Sequence, residues 1–104
     1  MKKVRMTPIA LKDLKEIKSY ISEELLSEEA ALRTIKQIIE SYERLVEFPL
    51  MGKKLSSVID ANKEYRFIIA EKYIIFYKVE EEFISIYRIL YGRRNYMEIL
   101  FNIF

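Results

Sequence analysis

Three closely spaced runs occupy residues 65–91 of the 104-residue chain: YRFIIA at 65–70, YIIFYKV at 73–79 and FISIYRILY at 83–91, with GRR next at 92–94. Each is dense in β-branched and aromatic side chains, the types that suit a pleated, half-buried surface. Each is parted from the next by a few charged residues, first Glu71 and Lys72, then Glu80, Glu81 and Glu82. This spacing predicts three strands in an antiparallel meander. The middle run is almost uniformly apolar, so it is expected at the centre of a sheet with both of its faces covered.

Working outward, residues 2–6 alternate, with Val4 and Met6 set between basic residues, and predict a short strand that joins the sheet at an edge. Thr7 and Pro8 then mark a helix start, because a threonine hydroxyl can cap free N–H groups and proline suits the first helical position. Leu11, Leu14, Ile17, Ile21 and Leu25 recur three or four apart and predict an amphipathic helix of about five turns. Ser27 is placed to cap a second helix. Glu28 and Glu29 complement its positive end, and Ala31, Ile35, Ile38, Tyr42 and Leu45 form its apolar face. That helix should end before Pro49, since proline disfavours helical geometry in the residue ahead of it. Two such helices with a short link form an antiparallel hairpin, and Ile39 and Val46 widen its apolar face enough to cover a sheet.

The stretch FPLMG at 48–52 reads as a loop, and 53–63 as an irregular connection. At the far end Asn95 is placed to cap a short final helix carrying Met97, Ile99, Leu100, Phe101, Ile103 and Phe104. So many apolar groups either fold back onto the sheet or mark where another chain binds. The expectation is an α+β fold in one domain over residues 1–104: an N-terminal strand, an antiparallel helical hairpin packed on an antiparallel β-sheet, and a short C-terminal helix or tail.

Composition narrows the chemistry. A chain that is 51% hydrophobic and 33% charged lies outside the disordered regime and is long enough for one core. It has neither cysteine nor histidine, so thiol chemistry, disulfides and a transition-metal site are not expected, and no cofactor is implied. No apolar run approaches the roughly 20 residues that cross a bilayer, and the start lacks the apolar core of a signal peptide, which leaves the cytoplasm as the expected location. Catalytic signatures such as a phosphate loop or a Ser-His pair are absent from the sequence. The glutamate pairs lie at helix ends or in a turn, where solvation accounts for them, and Tyr65, Tyr73, Tyr77 and Tyr87 suit sheet packing with the hydroxyl at the rim. Outside Glu80, Glu81 and Glu82 the second half of the chain is basic. Lys53, Lys54, Arg66, Arg88, Arg93 and Arg94 either form a surface that attracts phosphate or an acidic protein, or are a solvated face.

ALKDLKEIKSYI at 10–21, FPLMG at 48–52, YRF at 65–67, YIIFYKV at 73–79 and IYRILYGRRN at 86–95 come in an order and spacing that resembles the RelE/ParE superfamily of toxins from bacterial type II toxin-antitoxin pairs. The resemblance implies growth inhibition, a role in plasmid stabilisation, and a cognate antitoxin that wraps the toxin in a hetero-oligomer. It also implies one of two activities. RelE-like members cut messenger RNA on the ribosome without a metal, using arginine and lysine on the phosphate and a tyrosine, histidine or glutamate to move protons; ParE-like members act on DNA gyrase.

By that likeness, Ile74 stands where RelE-like enzymes often have a catalytic arginine. Arg94 matches one of their basic positions, Tyr91 stands where many have histidine, and the tyrosine nearer their C-terminus falls around Leu100, with Tyr96 as a nearby substitute. A ribonuclease reading would therefore rest on Arg88, Tyr91, Arg94 and Tyr96, and it leaves open whether the chain is an enzyme. The helix lengths and the RILYGRR ending at 88–94 look more like the ParE branch. A gyrase reading rests on Arg66, Arg88, Arg93 and Arg94 as target contacts, chiefly the pair directly after Gly92. A third possibility is a non-toxic module whose sheet pairs only with a partner peptide.

Overall fold

A computed structural model of the chain describes residues 2–55 and 64–92. Two helices pack on one face of a five-stranded mixed sheet. The elements are β1 (Lys3–Met6), α1 (Pro8–Ser19), a π-helical turn (Tyr20–Glu24), α2 (Glu28–Glu43), a 3-10 turn (Arg44–Val46), β2 (Lys53–Lys54), β3 (Tyr65–Ala70), β4 (Tyr73–Val79) and β5 (Phe83–Tyr91). The strands lie in the order β1-β5-β4-β3-β2. The meander is antiparallel as expected, whereas β1 joins the edge of β5 in parallel, Lys3 opposite Phe83 and Met6 opposite Ile86, which makes the sheet mixed. Lys53 and Lys54 pair with Phe67 and Arg66, so a short strand stands at the start of the stretch that reads as irregular.

Local chemistry sets the helix ends. The Thr7 hydroxyl accepts from the Ala10 amide at 3.1 Å and donates to the Tyr87 carbonyl at 3.0 Å, so one oxygen both caps α1 and ties it to β5. Ser27 caps α2 by accepting from the Ala30 amide. The first helix is shorter than its apolar stripe suggests. Its regular part ends at Ser19, where the Ser22 hydroxyl turns back onto the Lys18 carbonyl and the backbone widens into the π turn, closed by Leu25 N–H donating to the Tyr20 carbonyl. The wider turn rotates the end of the helix out of phase with its stripe. Ile21 stays buried while Leu25, four residues on, is exposed, and Leu11 is exposed too, because Ala10 and Asp13 face the sheet instead.

The core lies on both sides of β4, whose alternation sorts it into two layers. Ile75 and Tyr77 point to the helices and meet Ala10, Ile38, Tyr42 and Leu45; Ile74 and Phe76 point the other way and meet Leu55, flanked by Tyr65, Phe67 and Leu90. Each fully buried isoleucine contributes about 2 kcal/mol of apolar burial. The double cover expected for the middle run is thus present, with Leu55 supplying the second one among the described residues. The short final helix expected at 95–104 lies outside them.

Tyr77 does more than fill space. Its buried hydroxyl donates to the Pro49 carbonyl at 2.8 Å and accepts from the Gly52 amide at 3.0 Å, pinning the loop between α2 and β2 to the centre of the sheet. Only glycine fits at 52, since a Cβ there would stand 2.5 Å from that hydroxyl and 2.6 Å from the Phe67 carbonyl.

Candidate functional site at the Gly92 end of the sheet

The residues singled out by sequence converge unevenly. In β5 the pairing with β4 slips between Phe76, opposite Arg88, and Tyr77, opposite Ile86, so Tyr87 is an extra residue in a bulge. The bulge aims Arg88 at α1. Its guanidinium grips Asp13 with two bonds, Nε to Oδ2 at 2.8 Å and Nη2 to Oδ1 at 3.0 Å, and the same carboxylate accepts from the Ile89 amide at 3.0 Å. Asp13 is buried, and these three bonds hold α1 to β5. Arg88, expected as a target or catalytic contact, is a clamp inside the fold. Arg66 is also engaged at home: its Nη1 donates to the carbonyls of Gly52 at 2.8 Å and Leu50 at 3.3 Å.

Other cations of the sheet are matched too. Arg5 pairs with Glu80 at 3.1 Å while lying over the Phe83 ring, and Lys78 pairs with Glu64 at 2.8 Å. Ser85 donates to Glu80, and this bond, together with Arg5, holds the Glu80 carboxyl below its ordinary range. Among the described residues, Lys53 and Lys72 make no ion pair. Lys72 lies in the β3–β4 turn, where its carbonyl accepts from the Gly92 amide at 2.7 Å. That bond fixes the end of β5 beside an exposed lysine. Arg93 and Arg94 come next in the chain; with Tyr96 they lie outside the described residues.

The tyrosines of the sheet pack in pairs. The rings of Tyr73 and Tyr91 stand 5.7 Å apart, and those of Tyr65 and Tyr87 meet edge to face at 5.0 Å. Burial pushes the phenols of Tyr73, Tyr65 and Tyr77 upward, away from the range of a base at neutral pH. Ile74, which the likeness to RelE-like enzymes sets at an arginine position, is buried in the apolar layer with Phe76 and Leu55. A groove of about 730 Å³ lies between the second half of α2 and the β3–β4 turn, and no sequence pattern marks it. Glu40, Glu43, Glu47 and Glu71 line it against a single Arg44, so it repels phosphate. Its residues are scattered over four elements, and only the fold assembles them.

A helical hairpin packed on a mixed sheet, with Arg5, Arg66 and Arg88 engaged in contacts within the fold, defines a small α+β protein. The chain belongs to the ParE toxin family of type II toxin-antitoxin systems, whose family model, described as the ParE toxin of the parDE system, matches residues 4–96. Its fold is similar to a solved chain from the chromosomal ParDE toxin-antitoxin system of P. aeruginosa, with a TM-score of 0.73 and 24% identity over 88% of this chain and 96% of that one. No curated protein matches. Among the described residues no helix is long and apolar enough to cross a membrane.

Proposed function

We propose that this ParE-family toxin acts by inhibiting DNA gyrase and is neutralised by a cognate antitoxin. The observation that carries the reading is the apolar layer around Ile74 and Phe76. A ribonuclease that works without a metal needs cations where charge develops on the phosphate, and β4 offers a buried isoleucine there. Arg88, the nearest described cation on β5, is committed to Asp13. An antitoxin partner is supported by the likeness to a chain from a toxin-antitoxin system.

Arg93 and Arg94 are the proposed target contacts, because two arginines in succession follow directly on Gly92 in the sequence, and guanidinium groups suit interface recognition. Arg66 and Arg88 act instead by holding the sheet in shape. Purified protein is expected to inhibit gyrase supercoiling and to leave ribosome-bound message intact. Replacing Arg93 and Arg94 together by alanine should weaken the inhibition about tenfold or more, as loss of interface arginines does. Co-expression of its cognate antitoxin should restore growth. Message cleavage without any effect on gyrase would overturn the proposal.

A further inference from the structure

The chain has only two glycines, and neither takes a positive φ. Backbone freedom therefore does not account for them, whereas close approach does. Gly52 leaves room for the Tyr77 hydroxyl. Gly92 leaves room for Ile74: a Cβ at 92 would stand 3.0 Å from Ile74 Cγ1, 3.2 Å from its Cδ1 and 3.3 Å from the Lys72 carbonyl oxygen. Carbon atoms in good contact stay about 3.5 to 4.0 Å apart, so one side of such a contact has to give way. Ile74 has little freedom to do so. It is 6% exposed, packed with Phe76 and Leu55, and β-branched, which makes its χ1 stiff. The alternation of β5 puts position 92 on the same face as Leu90, the residue opposite Ile74. Just past that pair, the Gly92 amide donates to the Lys72 carbonyl at 2.7 Å, and the rings of Tyr73 and Tyr91 pack 5.7 Å apart beside this bond.

We infer that Gly92 and Ile74 are positioning residues for the arginine pair: the bare backbone at 92 lets β5 close onto Ile74 and Lys72, and this fixes the point from which Arg93 and Arg94 follow. The inference rests on the gyrase reading, in which those arginines touch the target, and deepens it. With a side chain at 92 the strand end has to move by a few tenths of an ångström, because the buried isoleucine holds its place. That movement falls on the bond between Gly92 and Lys72, the backbone tether nearest the arginines among the described residues. An interface group binds most tightly when its place is set before the partner arrives, since less freedom is lost on contact. Loosening the tether therefore weakens the contact without removing an arginine. Ile74 thus has a use of its own on β4, as the floor on which the end of β5 is seated.

Gly92→Ala should raise the half-inhibitory concentration against purified gyrase about fivefold, a coupling of the size found between touching residues. Adding Ile74→Ala to Gly92→Ala takes away the obstructing carbons and should return most of the lost inhibition, with thermal unfolding used to set the assay below the midpoint of every variant. The arginines supply a second measurement that leaves the core untouched. In a chain already carrying Arg93→Ala and Arg94→Ala, the further change Gly92→Ala should cause no additional loss, since a positioning residue acts only through what it positions. Equal inhibition by the parent and Gly92→Ala would overturn this inference and leave the gyrase reading standing. So would a loss from Gly92→Ala that is the same with and without the arginines, or one that Ile74→Ala fails to relieve in a folded protein. A parent that leaves gyrase supercoiling untouched would sink both readings.

Discussion

Asp13 shows how one side chain can decide what another is available to do. Three hydrogen bonds converge on its carboxylate from β5, two of them from the Arg88 guanidinium, which is thereby held against α1. Asp13→Asn leaves an N–H group facing the donors it should accept from, and should cost about 3 kcal/mol, the lower end for breaking a buried pair because the arginine keeps some access to water. Urea unfolding measures this directly. Replacing both partners together, Asp13→Leu with Arg88→Met, should recover most of the loss, since well-packed apolar pairs can substitute for a buried ion pair. From sequence alone the role of Asp13 is illegible: it is one charge among Lys12, Lys15 and Glu16, and its partner is 75 residues away. Arg88 is legible as a notable residue but not as a committed one, for the same reason.

Elements are more legible than side-chain partners, because periodicity is local and pairing is not. The three strand runs, the capping residues Thr7 and Ser27 and the apolar face of α2 all fall where their patterns put them. The stripe of α1 misleads at Leu25 because a π turn changes the number of residues per turn, and a hydroxyl–backbone contact at Ser22 leaves no trace in a count of apolar spacings. The direction of β1 is equally hidden, since alternation marks a strand but not whether its neighbour runs with it or against it. Thr7 carries a test at this scale, because its hydroxyl serves both α1 and β5. Thr7→Ala should lose about 1 to 2 kcal/mol, the upper range for a helix cap, with hydrogen exchange quickening first in the opening turn of α1.

At the scale of the whole molecule, pH reports on how the tyrosines are buried. Tyr42, Tyr65, Tyr73 and Tyr77 all have phenols raised above 10.0, in each case chiefly by burial. A raised folded value means that the native state holds its proton more tightly than the unfolded chain does. The stability gained is therefore complete below pH 10 and drains away as pH climbs from there through the folded values. Glu80, held below 4.5 first by Ser85 and then by Arg5, has the opposite sign: its contribution is present above 4.5 and fades as pH falls below it. The denaturation midpoint should be level between about pH 6 and 9, drop steeply above 10 and decline mildly in acid. A steep loss near pH 7 would contradict this.

Closure of the sheet by β1 against β5 has a further effect, on the order of events at birth. Arg5 and its neighbour Ser85 are 80 residues apart, so the earliest strand to emerge from the ribosome has nothing to pair with until the last is made. The Asp13 clamp spans a similar distance along the chain, so it too closes only once β5 has been made.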